Sequence, residues 1–230
     1  MKIPIPVGCS ACGSEFSTPA IGAEKIPPAT CPKCGAQIHI FDPLSVSLIA
    51  DRLLYRSQHE LKEGDYTLSI ICTAIALETA FTQAFIKWKK IEHCQKLKKP
   101  ATETEIDAWE GEYRSQTKSS FEKSANLVAL DLVGKTFDQF VNDFLARSNT
   151  VALIKAGFPK SESHAKLNHI YVELFRRRNR IMHWGQMDYQ LDDAQSAFQA
   201  GCTAFSILKV MDRERCEAME QAWRESSLNR

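Results

Sequence analysis

An arginine and a histidine near the end of one helical segment are the first residues in this sequence with evident chemical potential. Arg178 and His183 lie in the stretch FRRRNRIMHWG, residues 175–185, which follows an apolar segment and ends at a glycine. Histidine side chains exchange protons near neutral pH, and the planar guanidinium of arginine can bind two oxygens of a phosphate. These residue types could act on a phosphate ester, provided that the fold brings them together.

Arg178 falls on the apolar face of its helix. At about 100° per residue, the segment 161–182 places its apolar side chains in one stripe, and Arg178 projects from the middle of it. The stripe comprises Leu167, Ile170, Tyr171, Leu174, Phe175, Ile181 and Met182. Arg176, Arg177 and Arg180 fall off the stripe and are interpreted as solvated cations near a helix C-terminus. A permanent charge on the core face, by contrast, must be paired or must serve a site.

A carboxylate on another helix offers that partner. The segment 66–95 has its own apolar stripe, and Glu78 stands at its centre. That stripe comprises Ile71, Ala74, Leu77, Phe81, Ala84, Phe85 and Trp88. Two amphipathic helices with one opposite charge each on the packing face predict a buried or half-buried Glu78–Arg178 pair, which would fix the guanidinium. The pair could instead serve only to set the register of the two helices.

His183 is harder to place beside the arginine. It follows Arg178 by five residues, so on a continuous helix the two side chains would lie about 140° apart. Gly185 offers a natural left-handed helix stop. We therefore expect the chain to leave the helix near His183, which would let the imidazole approach the arginine or a second subunit. A histidine at a helix end can also be a plain surface cation or cap.

Four cysteines near the N-terminus have the spacing of a zinc site. Cys9-x2-Cys12 and Cys31-x2-Cys34 are separated by 18 residues, and a glycine follows each pair. Each turn offers two thiolates at tetrahedral spacing, which predicts one structural Zn²⁺ per chain in a closed four-cysteine site. The module resembles a zinc ribbon. A pair of disulfides in a secreted domain is the alternative, but the first residues show no signal core.

The surrounding sequence predicts the elements that position these residues. Residues 1–42 hold six of the nine prolines and short apolar runs, whereas helical periodicity dominates afterwards. We therefore predict a mainly α protein, with a small β zinc ribbon over residues 1–42 and an antiparallel helical bundle over residues 43–230. The predicted helical segments are 43–61, 66–95, 103–132, 136–147, 161–182 and 192–223.

Composition excludes several classes of protein. Lysine and arginine total 29 against 28 acidic residues, so any basic site must be local. No run of 18 apolar residues occurs, so we expect a cytoplasmic protein without a membrane span. The sequence contains no G-x-S-x-G elbow, phosphate-binding loop or dinucleotide fingerprint, which removes support for hydrolase, NTPase and dehydrogenase functions.

Six lysines cluster between residues 87 and 99. They are Lys87, Lys89, Lys90, Lys96, Lys98 and Lys99. They could form an approach track for RNA, or simply a solvated helix C-terminus that the helix dipole favours. Trp88 lies among them but fits the apolar stripe, so we predict a core position for it rather than a stacking surface.

Arg178, Asn179 and His183 resemble the R-x4-H signature of the HEPN superfamily, because they end one helix of a bundle and precede a glycine and a further long helix. The resemblance covers about residues 43–225. It implies a metal-independent endoribonuclease with His183 as acid–base group, Arg178 as phosphate clamp and Asn179 as orienting neighbour. The products would be 2′,3′-cyclic phosphate and 5′-hydroxyl ends.

The same resemblance implies a homodimer with its site at the two-fold interface, a toxin or antiphage role, and room for a neutralising protein partner. In the subgroup that acts with nucleotidyltransferase partners, a tyrosine stands two residues after the histidine. Gly185 takes that place here, so we do not expect that subgroup's regulation. Two alternatives stay open: a non-catalytic adaptor that binds RNA or protein, and a structural bundle in which Arg178 only neutralises Glu78.

Overall fold

The computed structural model describes residues 3–8, 15–20, 29–35, 37–38, 45–97, 99–118, 120–148 and 162–228. The chain divides into two units, Met1–Ser45 and Val46–Arg230. The boundary predicted from composition lies after residue 42.

The first unit contains two antiparallel hairpins. Strands β1 (Ile3–Gly8) and β2 (Glu15–Ala20) form one, and β3 (Ala29–Thr30) and β4 (Gln37–Ile38) form the other. The last pairs before the turns are Gly8 with Glu15 and Thr30 with Gln37. The two strands of each hairpin are therefore separated by six residues in the sequence, 9–14 and 31–36.

The second unit is a bundle of α-helices, which confirms the predicted mainly α fold. Its helices are α1 (Ser45–Glu63), α2 (Tyr66–Leu97), α3 (Glu103–Thr117), α4 (Phe121–Val133), α5 (Phe137–Arg147), α6 (Leu167–Ile170), α7 (Arg176–Trp184) and α8 (Leu191–Leu228). A 3-10 turn (Glu162–Ala165) precedes α6, and a π-helical turn (Tyr171–Phe175) joins α6 to α7.

Helix α2 is the central helix, and α3, α4 and α8 pack against it. It is long and apolar enough to cross a membrane by composition alone, with a window of mean hydropathy 1.5, but 67% of that window is buried within the protein. Trp88 is 1% exposed, which confirms its predicted core position. A helix with neighbours on most of its faces needs apolar residues on most of them, which explains the high hydropathy of α2.

The predicted antiparallel arrangement is wrong for the two longest helices. Thr73 of α2 lies against Gly201 of α8, and further along Lys87 of α2 pairs with Asp212 of α8. Residue numbers rise together in both helices, so α2 and α8 run parallel. The reason is that α7 lies antiparallel to α2, since Arg178 contacts Glu78 and the later Met187 contacts the earlier Thr67. The short connection after α7 reverses the chain once more before α8 begins.

A close contact at Gly201 holds α1, α2 and α8 together. A Cβ atom built on Gly201 would lie 2.2 Å from Cγ2 of Thr73. The Thr73 hydroxyl donates to the carbonyl oxygen of Ser69 at 2.9 Å and lies 2.6 Å from the hydroxyl of Ser57 on α1. Because these bonds fix the threonine rotamer, its methyl group cannot turn away from α8.

The segment with the π-helical turn has both buried and exposed side chains. The N–H of Arg176 donates to the carbonyl oxygen of Tyr171, five residues earlier. Phe175 is buried and stacks on Phe121 of α4 with ring centroids 4.1 Å apart. Tyr171 and Met182, which the sequence places in the buried stripe, are 43% and 58% exposed. That prediction is wrong for both residues. At 100° per residue they lie about 60° and 80° from Leu174, on the flank of the stripe, where a side chain can reach water.

We expect Gly201→Ala to destabilise the protein by about 1–3 kcal/mol, because the new methyl group overpacks the contact with Thr73. Urea denaturation measures this change in the free energy of unfolding. Gly111→Ala is the matched control, since Gly111 lies on α3 with nothing within 4 Å of its Cβ position. That change should stabilise by up to about 1 kcal/mol.

The double variant Thr73→Ser, Gly201→Ala tests the cause. Serine keeps the hydroxyl and removes the clashing methyl group, so most of the lost stability should return. An unchanged loss in the double variant would contradict this account of the contact.

Candidate functional site

Helix α7 extends through His183 and ends one residue later. Gly185 adopts a left-handed conformation with φ +66°. Its N–H donates to the carbonyl oxygen of Ile181 at 3.0 Å, and the N–H of Gln186 donates to that of Arg180 at 3.4 Å. These bonds satisfy carbonyl groups of the last turn. The predicted helix stop at Gly185 is confirmed. His183 nevertheless has a helical position, so its imidazole does not swing back toward Arg178.

Arg178 forms the predicted ion pair with Glu78. Its Nη2 lies 3.2 Å from Glu78 Oε2, and its Nη1 donates to Asn179 Oδ1 at 3.0 Å. The side chains of Arg178 and Glu78 are 26% and 36% exposed, so the pair is half-buried. Burial raises the pKa of the Glu78 carboxyl, and the charge of Arg178 opposes that rise. The two terminal nitrogens of the guanidinium are thereby held in one orientation.

Asn179 links the ion pair to the face where His183 lies. Because a guanidinium can only donate, the amide oxygen of Asn179 must face Arg178. Its amide nitrogen is then directed away, and His183 follows Asn179 by four residues on the same side of the helix. His183 is exposed and forms no ion pair or hydrogen bond within the described part of the chain.

Arg178 and His183 do not meet within one chain. On a continuous helix they lie about 140° apart around the axis and about 7.5 Å apart along it. Asn179 and Met182 occupy the edge of α7 between them, and Met182 is 58% exposed. Arg178 and His183 therefore lie on opposite sides of the same exposed edge of the helix.

Arg177 is a structural residue, and its interpretation as a solvated cation is wrong. It forms ion pairs with Glu173, one helical turn earlier, and with Asp193 in the first turn of α8 at 3.2 Å. Its side chain is 19% exposed, less than that of Arg178. Its carbonyl oxygen also accepts from the Tyr189 hydroxyl at 3.2 Å. The four-residue spacing from Glu173 could have indicated the first of these pairs.

Exposed apolar side chains border the ion pair. Met182 lies one turn after Arg178 on α7, and Ile75, at 40% exposure, lies one turn before Glu78 on α2. Met187, at 69% exposure, lies in the loop after α7. The carbonyl oxygen of Met187 accepts from the Thr67 hydroxyl at 3.3 Å, which attaches this loop to α2. The side of the α2–α7 pair that contains Glu78 and Arg178 thus has a polar centre and an apolar border.

The cysteine site falls partly outside the described residues. Cys9 and Cys12 are not among them. Cys31 is 1% exposed, Cys34 is exposed, and the N–H of Gly35 donates to the carbonyl oxygen of Cys31 at 2.9 Å. Among the residues that the structure describes, no three histidine, cysteine, aspartate or glutamate side chains are grouped to hold a metal.

The lysine cluster does not form a continuous basic track. Lys87 lies 2.7 Å from Asp212 Oδ2, and Lys89 lies 3.9 Å from a carboxylate oxygen of Glu112. Lys98 is outside the described residues, while Lys90, Lys96 and Lys99 are exposed. Lys87 therefore serves to hold α2 against α8.

Comparison of the chain with protein-family models, with curated proteins and with solved structures finds no match in any of the three. The resemblance to HEPN proteins consequently depends on the motif on α7 and on the order of the helices, and it stays a prediction.

We expect Arg178→Ala to destabilise the protein more at pH 7 than at pH 4, by about 0.5–1 kcal/mol, because the pair is partly exposed to water. The raised pKa of Glu78 means that the folded state binds this proton more tightly than the unfolded state does. The contribution of Glu78 to the stability of the fold is therefore present at low pH and lost as the pH rises. Without Arg178 the pKa rises further, which enlarges that loss.

Urea denaturation at both pH values measures the difference. The double variant Glu78→Gln, Arg178→Ala has no carboxylate at this position and should show the same stability change at pH 4 and pH 7. An equal loss at both pH values in Arg178→Ala alone would mean that the ion pair contributes nothing to folding.

Proposed function

We propose that the helical unit is a metal-independent endoribonuclease of the HEPN type. The observation that supports this most directly is the arrangement on α7. His183 is exposed without a protein partner among the described residues, and Asn179 connects its face to a guanidinium that Glu78 holds in place. One group is thus available for proton transfer, and the other is oriented for an anion.

The chemistry requires no metal. A neutral imidazole of His183 takes the proton of a ribose 2′-hydroxyl, and the 2′-oxygen attacks the adjacent phosphorus. The bond from phosphorus to the 5′-oxygen breaks, and a protonated imidazole returns a proton to that oxygen. Cleavage leaves a 2′,3′-cyclic phosphate and a 5′-hydroxyl. Arg178 donates to the non-bridging oxygens, which gain negative charge in the transition state.

Glu78 and Asn179 act through the arginine. An ion pair with this degree of exposure contributes about 1 kcal/mol or less to stability, so its main effect is on orientation. Arg178 donates to both residues, and the remaining guanidinium donors stay available to a phosphate. The amide nitrogen of Asn179 is a further donor next to His183.

We further propose that the site is completed by a second copy of the chain. Arg178 and His183 flank the edge of α7 that contains Asn179 and Met182. A two-fold copy packed on this edge would bring Arg178 of each chain next to His183 of the other. The exposed Met182 and Ile75 supply apolar surface for such a contact.

A non-catalytic adaptor is the second candidate. The exposed Ile75 and Met182 favour it, because apolar side chains around an ion pair also suit a docking surface for a protein. An adaptor leaves RNA intact, so the assay below separates the two functions.

We expect the purified protein to cleave mixed-sequence RNA in the presence of EDTA. His183→Ala should lower the rate by about 10²- to 10⁴-fold and Arg178→Ala by about 10²- to 10³-fold, because they remove the proton-transfer group and the anion clamp. End-group analysis of the products checks for cyclic phosphate. His59→Ala, which alters an exposed histidine on α1, is the control and should cleave normally.

Mixing the two inactive variants tests the shared site. A 1:1 mixture of Arg178→Ala and His183→Ala chains should regain about a quarter of the wild-type rate, since about half of the dimers are mixed and each has one complete site. No regained activity would contradict a site shared between chains. Intact RNA with the wild-type protein would favour the adaptor, and an unfolded Arg178→Ala variant would favour a purely structural ion pair.

We also propose that Cys9, Cys12, Cys31 and Cys34 hold one structural Zn²⁺ per chain. The support is that the cysteines occupy the same positions in the two hairpins. In each, the first cysteine of the pair follows the last paired residue of the leading strand, Gly8 or Thr30, and the loop has the form C-x2-C-G-x. Four thiolates satisfy a tetrahedral zinc ion and leave no position for a reactive water. The metal would stabilise a module too small to have much of a core.

Elemental analysis of protein purified without chelator should find one zinc per chain. Cys34→Ser should lower the zinc content toward zero, because a closed site loses a thiolate ligand. Cys94→Ser is the matched control, since Cys94 is also exposed but lies on α2. Full zinc content in Cys34→Ser, or none in the wild type, would contradict the site.

A further inference from the structure

We infer that Arg176, Arg180 and Trp184 form a row on α7 that binds an unpaired nucleotide beside the cleaved phosphate, with Trp184 stacking on its base. The inference rests on the proposed ribonuclease function and extends it to residues outside the R-x4-H motif. The feature of the substrate that this row would select is a base that is neither paired nor stacked on its neighbours.

The three residues follow one another at intervals of four. Successive members therefore lie on the same side of α7, about 6 Å apart along its axis. His183 and Asn179 adjoin this row on one side. Arg178 lies on the far side of that edge, toward Glu78. The row thus lies next to His183, on the side of α7 away from the edge proposed for a second copy.

The two arginines of the row are not neutralised by their neighbours. The carboxylates of Glu173 and Asp193 both pair with Arg177, which faces the body of the protein. Arg176 is exposed and Arg180 is half-buried, and the side chain of neither forms an ion pair or hydrogen bond with any described residue. Two guanidinium groups one helical turn apart are available to successive phosphates of a strand.

Trp184 is 78% exposed, the highest value among the large apolar side chains that the structure describes as exposed. The fold does not explain this, because Ile181 is the buried residue of α7 and the helix is capped by backbone groups. An exposed indole beside unpaired arginines is the combination that binds single-stranded nucleic acid, where a base stacks on the ring and the strand follows the cations.

The row distinguishes single strands from duplexes. A base in an RNA helix is stacked on its neighbours and paired, so it presents no free face to an indole. Stacking on an aromatic residue contributes about 1–3 kcal/mol per base. Trp184 would therefore favour RNA that has an unpaired base next to the scissile phosphate.

Binding is measured in the His183→Ala background, so that the RNA is not cleaved. The probe is a labelled oligoribonucleotide, single-stranded or closed into a hairpin stem of the same sequence. Adding Trp184→Ala should weaken single-strand binding by about 5- to 150-fold and leave stem binding unchanged. Trp184→Phe should retain most of the affinity. Adding Arg180→Ala should make single-strand binding less dependent on salt.

Two controls match the variants. Tyr171→Ala removes another exposed aromatic side chain of the same helical segment, and Arg213→Ala removes an exposed cation of α8. Both should bind as the His183→Ala parent does. Abasic residues placed at successive positions should weaken binding at one position with Trp184 present and at none with Trp184→Ala.

The outcomes separate this inference from the proposed function. Cleavage that depends on His183 but tolerates Trp184→Ala with unchanged KM would overturn the row and leave the ribonuclease intact. A Trp184→Ala variant whose only change is a loss of self-association would make Trp184 a protein contact and overturn the inference. No binding to any RNA would overturn both. A raised KM with retained kcat at saturating single-stranded RNA supports the row.

Discussion

The half-buried ion pair between Glu78 and Arg178 joins the central helix of the bundle to the helix with the candidate site. Burial alone would favour a neutral carboxyl, and the guanidinium opposes that tendency. In return, the carboxylate and the amide oxygen of Asn179 restrict the rotation of the arginine. Because α2 packs against several helices, the guanidinium is held against the central helix of the bundle. Everything proposed for the site follows from a cation held in a fixed place at the surface.

Helix α7 is held on more than one side. Phe175 stacks on Phe121 just before the helix begins, and Ile181 is buried within it. Arg177 ties it to α8 through Asp193. These contacts leave a broad face to solvent, and that face contains His183 and the row that ends at Trp184. One side of α7 is thus packed against the bundle, and the opposite, exposed side contains polar and aromatic groups that make no contact needed for folding. This is the pattern expected where a ligand is bound.

Much of the fold follows from sequence periodicity, and the reasons for the exceptions are physical. Most helices begin and end within a few residues of their predicted bounds, but the predicted segment 103–132 is divided into α3 and α4 at Lys118, which has a φ of 49°. Two charges in two apolar stripes were enough to predict the pair of Glu78 with Arg178. The burial of Tyr171 and Met182 was predicted wrongly, because both lie on the flank of the apolar stripe, where periodicity alone does not decide between the core and water. The role of Arg177 depends on Asp193 from the next helix, a tertiary contact that helical spacing cannot reveal. Two thiolate positions lie outside the described residues, so the zinc site stays a prediction.

The π turn at Tyr171–Phe175 sets the rotational phase between the anchored start of this helical segment and the motif that follows. Deleting a single codon within it would let the segment continue as an ordinary α-helix. Because a π turn takes in about one residue more than an α-helical turn, the later side chains would keep nearly the same direction, and Arg178 would still face Glu78. In evolutionary terms, such a turn can absorb one inserted amino acid while the buried start of the segment and the motif both keep their contacts. Closely related chains should therefore include some in which this turn is one residue shorter and α-helical, with the ion pair retained.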